Sequence, residues 1–189
     1  MDKIETCDLY ISGNVNRELI DNTLEELKKD IYQPHKCLRM IIDSPGGSVS
    51  YAISLARFLM GCFPSIYTYN LNSVDSAAVC LFLAGSRRFA LPSACFFMHP
   101  PSIDVTGNQT EDQLKELLQK LQADTVRMIQ YYAERTPSPV ATWESIFKRT
   151  KQMNAAEMQS YGVVTDICYE SPRFSPKNIL STPTIKHHH

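Results

Sequence analysis

Three short stretches of this chain carry residue types that could do chemistry. Ser44-Pro45-Gly46-Gly47-Ser48 follows an apolar run and precedes a helical repeat. Val74-Asp75-Ser76-Ala77-Ala78 opens a segment of small residues, and His99 stands between Phe96-Phe97-Met98 and Pro100-Pro101. Two adjacent glycines leave backbone N–H groups uncovered, which suits a phosphate or an oxyanion. Neither GxGxxG nor the Walker pattern is present, so the loop holds no specific nucleotide signal and reads equally well as a turn. Ser76 sits where a strand gives way to a helix, with a free N–H beside it and the positive end of the helix dipole behind it. That is the place of a nucleophile elbow, without its GxSxG pattern, and it is also the place of a helix N-cap.

A serine nucleophile needs a base beside it, because its hydroxyl is almost never ionised at neutral pH. Outside the terminal run Lys186-His187-His188-His189, which reads as a purification tag, only His35 and His99 are available. His35 lies in the polar stretch Gln33-Pro34-His35-Lys36, a solvated loop by composition. His99 follows a hydrophobic strand. Taken singly it is a structural histidine as readily as a base. All three stretches, however, fall at the carboxyl ends of strands, where open α/β proteins bind ligands.

The elements that must position these residues are legible from apolar spacing. Leu9-Tyr10-Ile11 predicts a strand, and Leu19, Ile20, Leu24, Leu27 and Ile31 a helix closed by Pro34. Leu38–Ile42 predicts a buried strand, Val49–Leu59 a helix, Ile66–Tyr69 a strand, and Ala77–Leu83 a buried small-residue helix. Strands over Arg88–Leu91 and Ala94–Met98 precede a long amphipathic helix from about Thr110 to Glu134, with Leu114, Leu117, Leu118, Leu121, Val126 and Ile129 on one side. Strand and helix alternate, so the predicted class is α/β with largely parallel strands. Residues 1–170 read as one domain and residues 171–189 as an extended or mobile tail rich in Ser and Pro.

Composition narrows the function classes. The 189 residues are 43% hydrophobic and 21% charged, within the globular range. Nineteen Lys+Arg against twenty Asp+Glu leave a formal charge of −1, which argues against a nucleic-acid partner. The longest apolar run, Ala77–Ala84, is far short of the ~20 residues a bilayer-spanning helix needs, and the start lacks an apolar leader. Six cysteines without CxxC spacing predict reduced thiols in a cytoplasmic protein and no metal site; no cofactor is expected.

The ordered series Ser44-Pro45-Gly46-Gly47-Ser48-Val49, Ser76, Ala84-Gly85, Arg88-Phe89-Ala90-Leu91-Pro92, Met98-His99-Pro100, Asn154-Ala155-Ala156-Glu157 and Tyr161-Gly162-Val163-Val164 resembles the Clp protease proteolytic subunit from about Leu9 to Ile167. The resemblance implies a crotonase-like ββα spiral with a protruding handle helix, and an ATP-dependent serine endopeptidase working inside stacked heptameric rings. It implies Ser76 as nucleophile, His99 as general base and the Gly47 and Ala77 amides as oxyanion hole. The helix from Thr110 to Glu134 would be the handle joining two rings. Polypeptide substrates and a homo-oligomer, heptamer or tetradecamer, follow from the same resemblance.

Two departures bear on mechanism. The position that carries the family's Asp is Thr150, in Lys148-Arg149-Thr150-Lys151. The alternatives are a Ser–His dyad, an acid supplied by Asp104 or Asp75, and a catalytically silent subunit serving as ring scaffold. The segment ahead of the first strand is short, and in the family that segment carries the axial loops that meet a hexameric ATPase unfoldase. Stimulation by such an ATPase is therefore not expected. An acyl-CoA-processing crotonase shares the fold and oxyanion hole, but the glutamates it relies on find no place in this sequence.

Overall fold

The computed structural model describes residues 6–28, 30–31, 37–174 and 179–181. Parallel strands form the main sheet, in the spatial order β7-β4-β3-β2-β1-β8. Its central members are β1 (Thr6–Ser12), β2 (Cys37–Ser44) and β3 (Ser65–Val74), with β4 (Arg87–Ala90) and β7 (Asp166–Ile167) to one side. A second, smaller sheet joins the far end of β3 to β5 (Cys95–Met98) in parallel and β5 to β6 (Lys151–Asn154) in antiparallel. β3 serves both: its register with β2 slips between the pairs Ile42–Asn70 and Ser44–Val74, and Ser73 within that stretch pairs with Cys95 of β5.

The alternation along the strands fixes what faces the helices. Leu9, Ile11, Leu38, Met40, Ile42 and Ile66 are buried on one face beneath α2 (Val49–Cys62) and α3 (Ala78–Phe82), and every residue of α3 is buried. The polar Thr68 on that face donates its hydroxyl to Phe82 O at 2.7 Å, which satisfies it inside the core. Arg88 is also buried. Its guanidinium donates to the carbonyls of Gly85, Gly162 and Val163 at 2.7–2.9 Å and so pins the turn after α6 (Ala155–Ser160) to β4. Burial pulls its pKa down, and the three carbonyls carry its charge.

Most predicted elements form, with three differences. α1 (Arg17–Leu27) stops before Ile31 and well before Pro34, which lies outside the described residues, as does His35. The chain tightens there into turns closed on Leu27 O, and Ile31 still packs against the core, so the apolar period outlasts the helix. α5 (Val140–Ile146), β6 and α6 follow the long helix, and α6 is announced by the reciprocal Asn154–Glu157 capping box. Beyond Ser171, Phe174 packs edge-on against Tyr69 and beneath Arg39, and the backbone of β8 (Ile179–Ser181) pairs in parallel with β1. Composition predicts an extended or mobile tail; the open edge of β1 supplies a strand partner for its extended part that composition cannot reveal.

α4 (Glu111–Arg135) starts at a Thr110–Gln113 capping box. Only Met128, Ile129, Tyr131 and Tyr132 along it are buried, while Leu114, Leu118 and Val126 are about half exposed. The leucine stripe is therefore not spent on packing within this subunit, and the first half of the helix projects from the body. None of the described helices is long and apolar enough to cross a membrane.

Candidate active site

The cleft is built from the ends of β2, β3 and β5. Ser44, the last residue of β2, donates its hydroxyl to Gly13 O at 2.7 Å and accepts from Gly46 N at 3.1 Å. Its own carbonyl accepts from Asp75 N at 2.9 Å, so one residue ties both loops together. Gly46 and Gly47 have φ of +93° and +141°. A Cβ on Gly46 would lie 2.8 Å from Ser76 Cβ and 2.9 Å from Ala77 N, and one on Gly47 would lie 2.5 Å from Val15 O. Glycine is required because the loop runs directly against the Ser76 turn.

Ser76 has φ of +51°, the only positive value at a non-glycine position among the described residues. An L-residue in this region costs about 1–2 kcal/mol. The strain is held by a short bond from Ser76 N to Phe97 O at 2.7 Å. Asp75 adds to it: its Oδ1 accepts from Phe97 N at 2.9 Å and from Ser73 Oγ at 2.7 Å. The N-cap alternative does not hold, since α3 is capped at Ala77 with no side-chain bond. Among the described residues, neither the Gly47 nor the Ala77 N–H has a hydrogen-bond acceptor.

Ser76, His99, Gly46 and Gly47 line one cleft of about 310 Å³. Ser76 itself is 7% exposed. His99 is half-buried, its ring tilted against Phe97, and its Nδ1 lies 2.7 Å from Pro100 O. A carbonyl can only accept, so Nδ1 carries the hydrogen and Nε2 is left as the acceptor in the neutral ring. No hydrogen bond joins Ser76 Oγ to His99 here.

Thr150 lines a different pocket, with Ser145, Ile146, Arg149, Lys151 and Tyr161. The antiparallel ladder of β5 and β6 nevertheless ends at the pair Met98–Lys151, so one further rung would set Thr150 across from His99. The two substitute acids fare differently from the cleft residues. Asp75 is engaged in holding the turn, and Asp104 is exposed and does not line the cleft. Asp124 does line it, together with Asn14, Ile103 and Leu121; of these the sequence pattern marks only Leu121, and as part of an apolar stripe rather than of a site. Their signal was available only as the i, i+3 spacing of Leu121 and Asp124 on one side of α4. Among the described residues no cluster of three or more His, Cys, Asp or Glu is placed to hold a metal ion.

These features define an α/β spiral protein whose cleft gathers the loop ends of two sheets. Sequence comparison carries that class to a family. The Clp protease family model matches residues 3–171, and the chain belongs to that family. It is 27% identical over 158 residues to an ATP-dependent Clp protease proteolytic subunit of Paracoccus denitrificans, covering 82% of this chain and 78% of that protein. It is 26% identical over 167 residues to ATP-dependent Clp protease proteolytic subunit 2 of Treponema denticola, covering 87% and 82%. The layered sheets and projecting α4 agree with the fold expected of that family.

Proposed function

We propose that this chain is a serine endopeptidase in which Ser76 is the nucleophile and His99 the general base. The observation that carries the reading is the strained Ser76, set in one cleft with His99 and with Gly47, whose N–H has no acceptor among the described residues. Ser76 Oγ attacks the scissile carbonyl carbon while His99 Nε2 takes its proton; Nδ1–H stays on Pro100 O. The tetrahedral oxyanion is held by the Gly47 and Ala77 amides, a donor set worth about 10²–10³-fold in rate per donor. Collapse expels the amine, which receives the proton from His99, and water then hydrolyses the Ser76 acyl ester by the same route. His99 Nδ1 meets the Pro100 carbonyl rather than a carboxylate, and Thr150 stands at the position of the family's Asp, so turnover is slower than in a full triad.

The exposed stripe of Leu114, Leu118 and Val126 supports a handle role for α4, joining one ring of this chain to a second, with polypeptides as substrates reaching an enclosed chamber. The names of the two relatives support an ATP-dependent partner. Adding a hexameric unfoldase to the purified protein and following a folded substrate tests that point.

A second reading, a catalytically silent subunit acting as ring scaffold, is favoured by Thr150 alone. Treatment with a fluorophosphonate and intact-mass measurement separates the two. One adduct that disappears in Ser76→Ala supports the peptidase; no adduct on an assembled ring supports the scaffold.

A further inference from the structure

The cleft beside Ser76 has two kinds of wall. Val49, Ile103 and Leu121 make one side apolar, and among the described lining residues Asp124 is the only Asp, Glu, Lys or Arg. Its side chain is 13% exposed, and its Oδ1 accepts from Arg127 Nη1 at 3.0 Å. Arg127 is more than half exposed and points to the neighbouring pocket, where the same Nη1 reaches Ser50 Oγ at 3.2 Å. With Arg127 in solvent, its end of the pair is weakly held and readily shared.

Resting on the peptidase reading, we propose that Asp124 is a specificity-determining residue that selects a basic side chain, lysine or arginine, at the substrate position seated in this cleft. A basic side chain is the amphipathic match. Its alkyl stem lies along Val49, Ile103 and Leu121 while its charged head meets the Asp124 carboxylate. A leucine would cover the carboxylate and leave it short of solvent, with no charge from the substrate to answer it, and a glutamate would bring a like charge to it.

Phosphonate diphenyl esters bearing a lysine-like, a leucine-like or a glutamate-like side chain test this by the rate at which each adds to Ser76, followed by intact mass. A small fluorophosphonate without a side chain reports the reactivity of Ser76 separately. The lysine-like probe is expected to react on the order of tenfold faster than the leucine-like one, and the glutamate-like probe slowest. Asp124→Asn should bring the lysine-to-leucine ratio close to one. Arg127→Ala, which frees the carboxylate from its exposed partner, should raise that ratio about two- to threefold. Equal rates for the lysine-like and leucine-like probes, with the fluorophosphonate still adding to Ser76, overturn the specificity and leave the peptidase reading intact. An equal slowing of every probe in Asp124→Asn also overturns it, since the residue would then act on the chemistry. Absence of any fluorophosphonate adduct removes the peptidase reading and this inference with it.

Discussion

Thr150→Asp is expected to accelerate acylation of Ser76. One rung beyond Met98–Lys151 places residue 150 across from His99, at the Cα separation of about 4.5–5.5 Å that antiparallel neighbours keep. A carboxylate about 4 Å from an imidazolium is worth roughly 4 kcal/mol at an effective dielectric of about 20. Position 150 is exposed, and Lys148 and Arg149 precede it, whereas Lys151 already faces Glu157 at 3.6 Å. Solvent and those two cations remove about half of the gain, leaving about 1.5–3 kcal/mol, or 10- to 10²-fold in rate. That is less than the ~10⁴-fold lost when a triad aspartate becomes asparagine, because part of that loss is a wrong tautomer. Here Pro100 O already holds the hydrogen on Nδ1. The assay is pre-steady-state acylation by an activated peptide ester, with Thr150→Asn as the neutral control of similar size. If the Asp variant acylates no faster than the Asn variant in equally assembled samples, residue 150 does not face the imidazole and the register argument is wrong.

Gly46→Ala drives a Cβ against Ser76 Cβ and Ala77 N, so it should lower the acylation rate by at least about 10²-fold while the far-ultraviolet circular dichroism stays native. Ser76→Gly and Ser76→Ala should both abolish the fluorophosphonate adduct, but the glycine variant should be the more stable by about 1 kcal/mol, since only it relieves φ of +51°. Equal melting temperatures for the two would show that the turn is not strained. Arg88→Met leaves three buried carbonyls without their donor and should cost about 3–5 kcal/mol, read as a fall in Tm of about 10 °C. Leu118→Glu puts a charge into the uncovered stripe of α4 and should shift the sedimentation profile to smaller species without lowering Tm, and an unchanged profile would remove α4 from the interface.

Where apolar period and turn chemistry agree, the elements were legible: β1, β2, α2, α3 and α4 form close to their predicted limits. Local pattern failed where distant chain decides. Whether Ser76 caps a helix or forms an elbow turns on the sign of one φ angle, and that sign is held by Phe97 O and by Asp75, whose partners lie more than twenty residues away. The reach of β3 to Val74 depends on a register slip against β2, and the last strand depends on a vacant edge of β1. Asp124 carries no signal of its own in the sequence, because its place in the cleft follows from the packing of α4 on α2 and α3.

The same dependence bears on the choice between peptidase and scaffold. A silent subunit needs its sheets and its α4 surface, and Thr150 harms neither. It does not need Ser76 at positive φ, because a glycine there would make the same turn without strain. Nor does it need the Gly47 and Ala77 amides beside that turn to be left without a backbone acceptor. Strain at Ser76 disfavours the folded state by about 1–2 kcal/mol, whereas the exposed Gly47 amide stays open to solvent and to an incoming carbonyl oxygen. That strain, on loops locked by Ser44 and Asp75, has a use in the proposed attack of Ser76 on an acyl group and none in a scaffold. The missing carboxylate then lowers the rate of the proposed chemistry without removing the site for it.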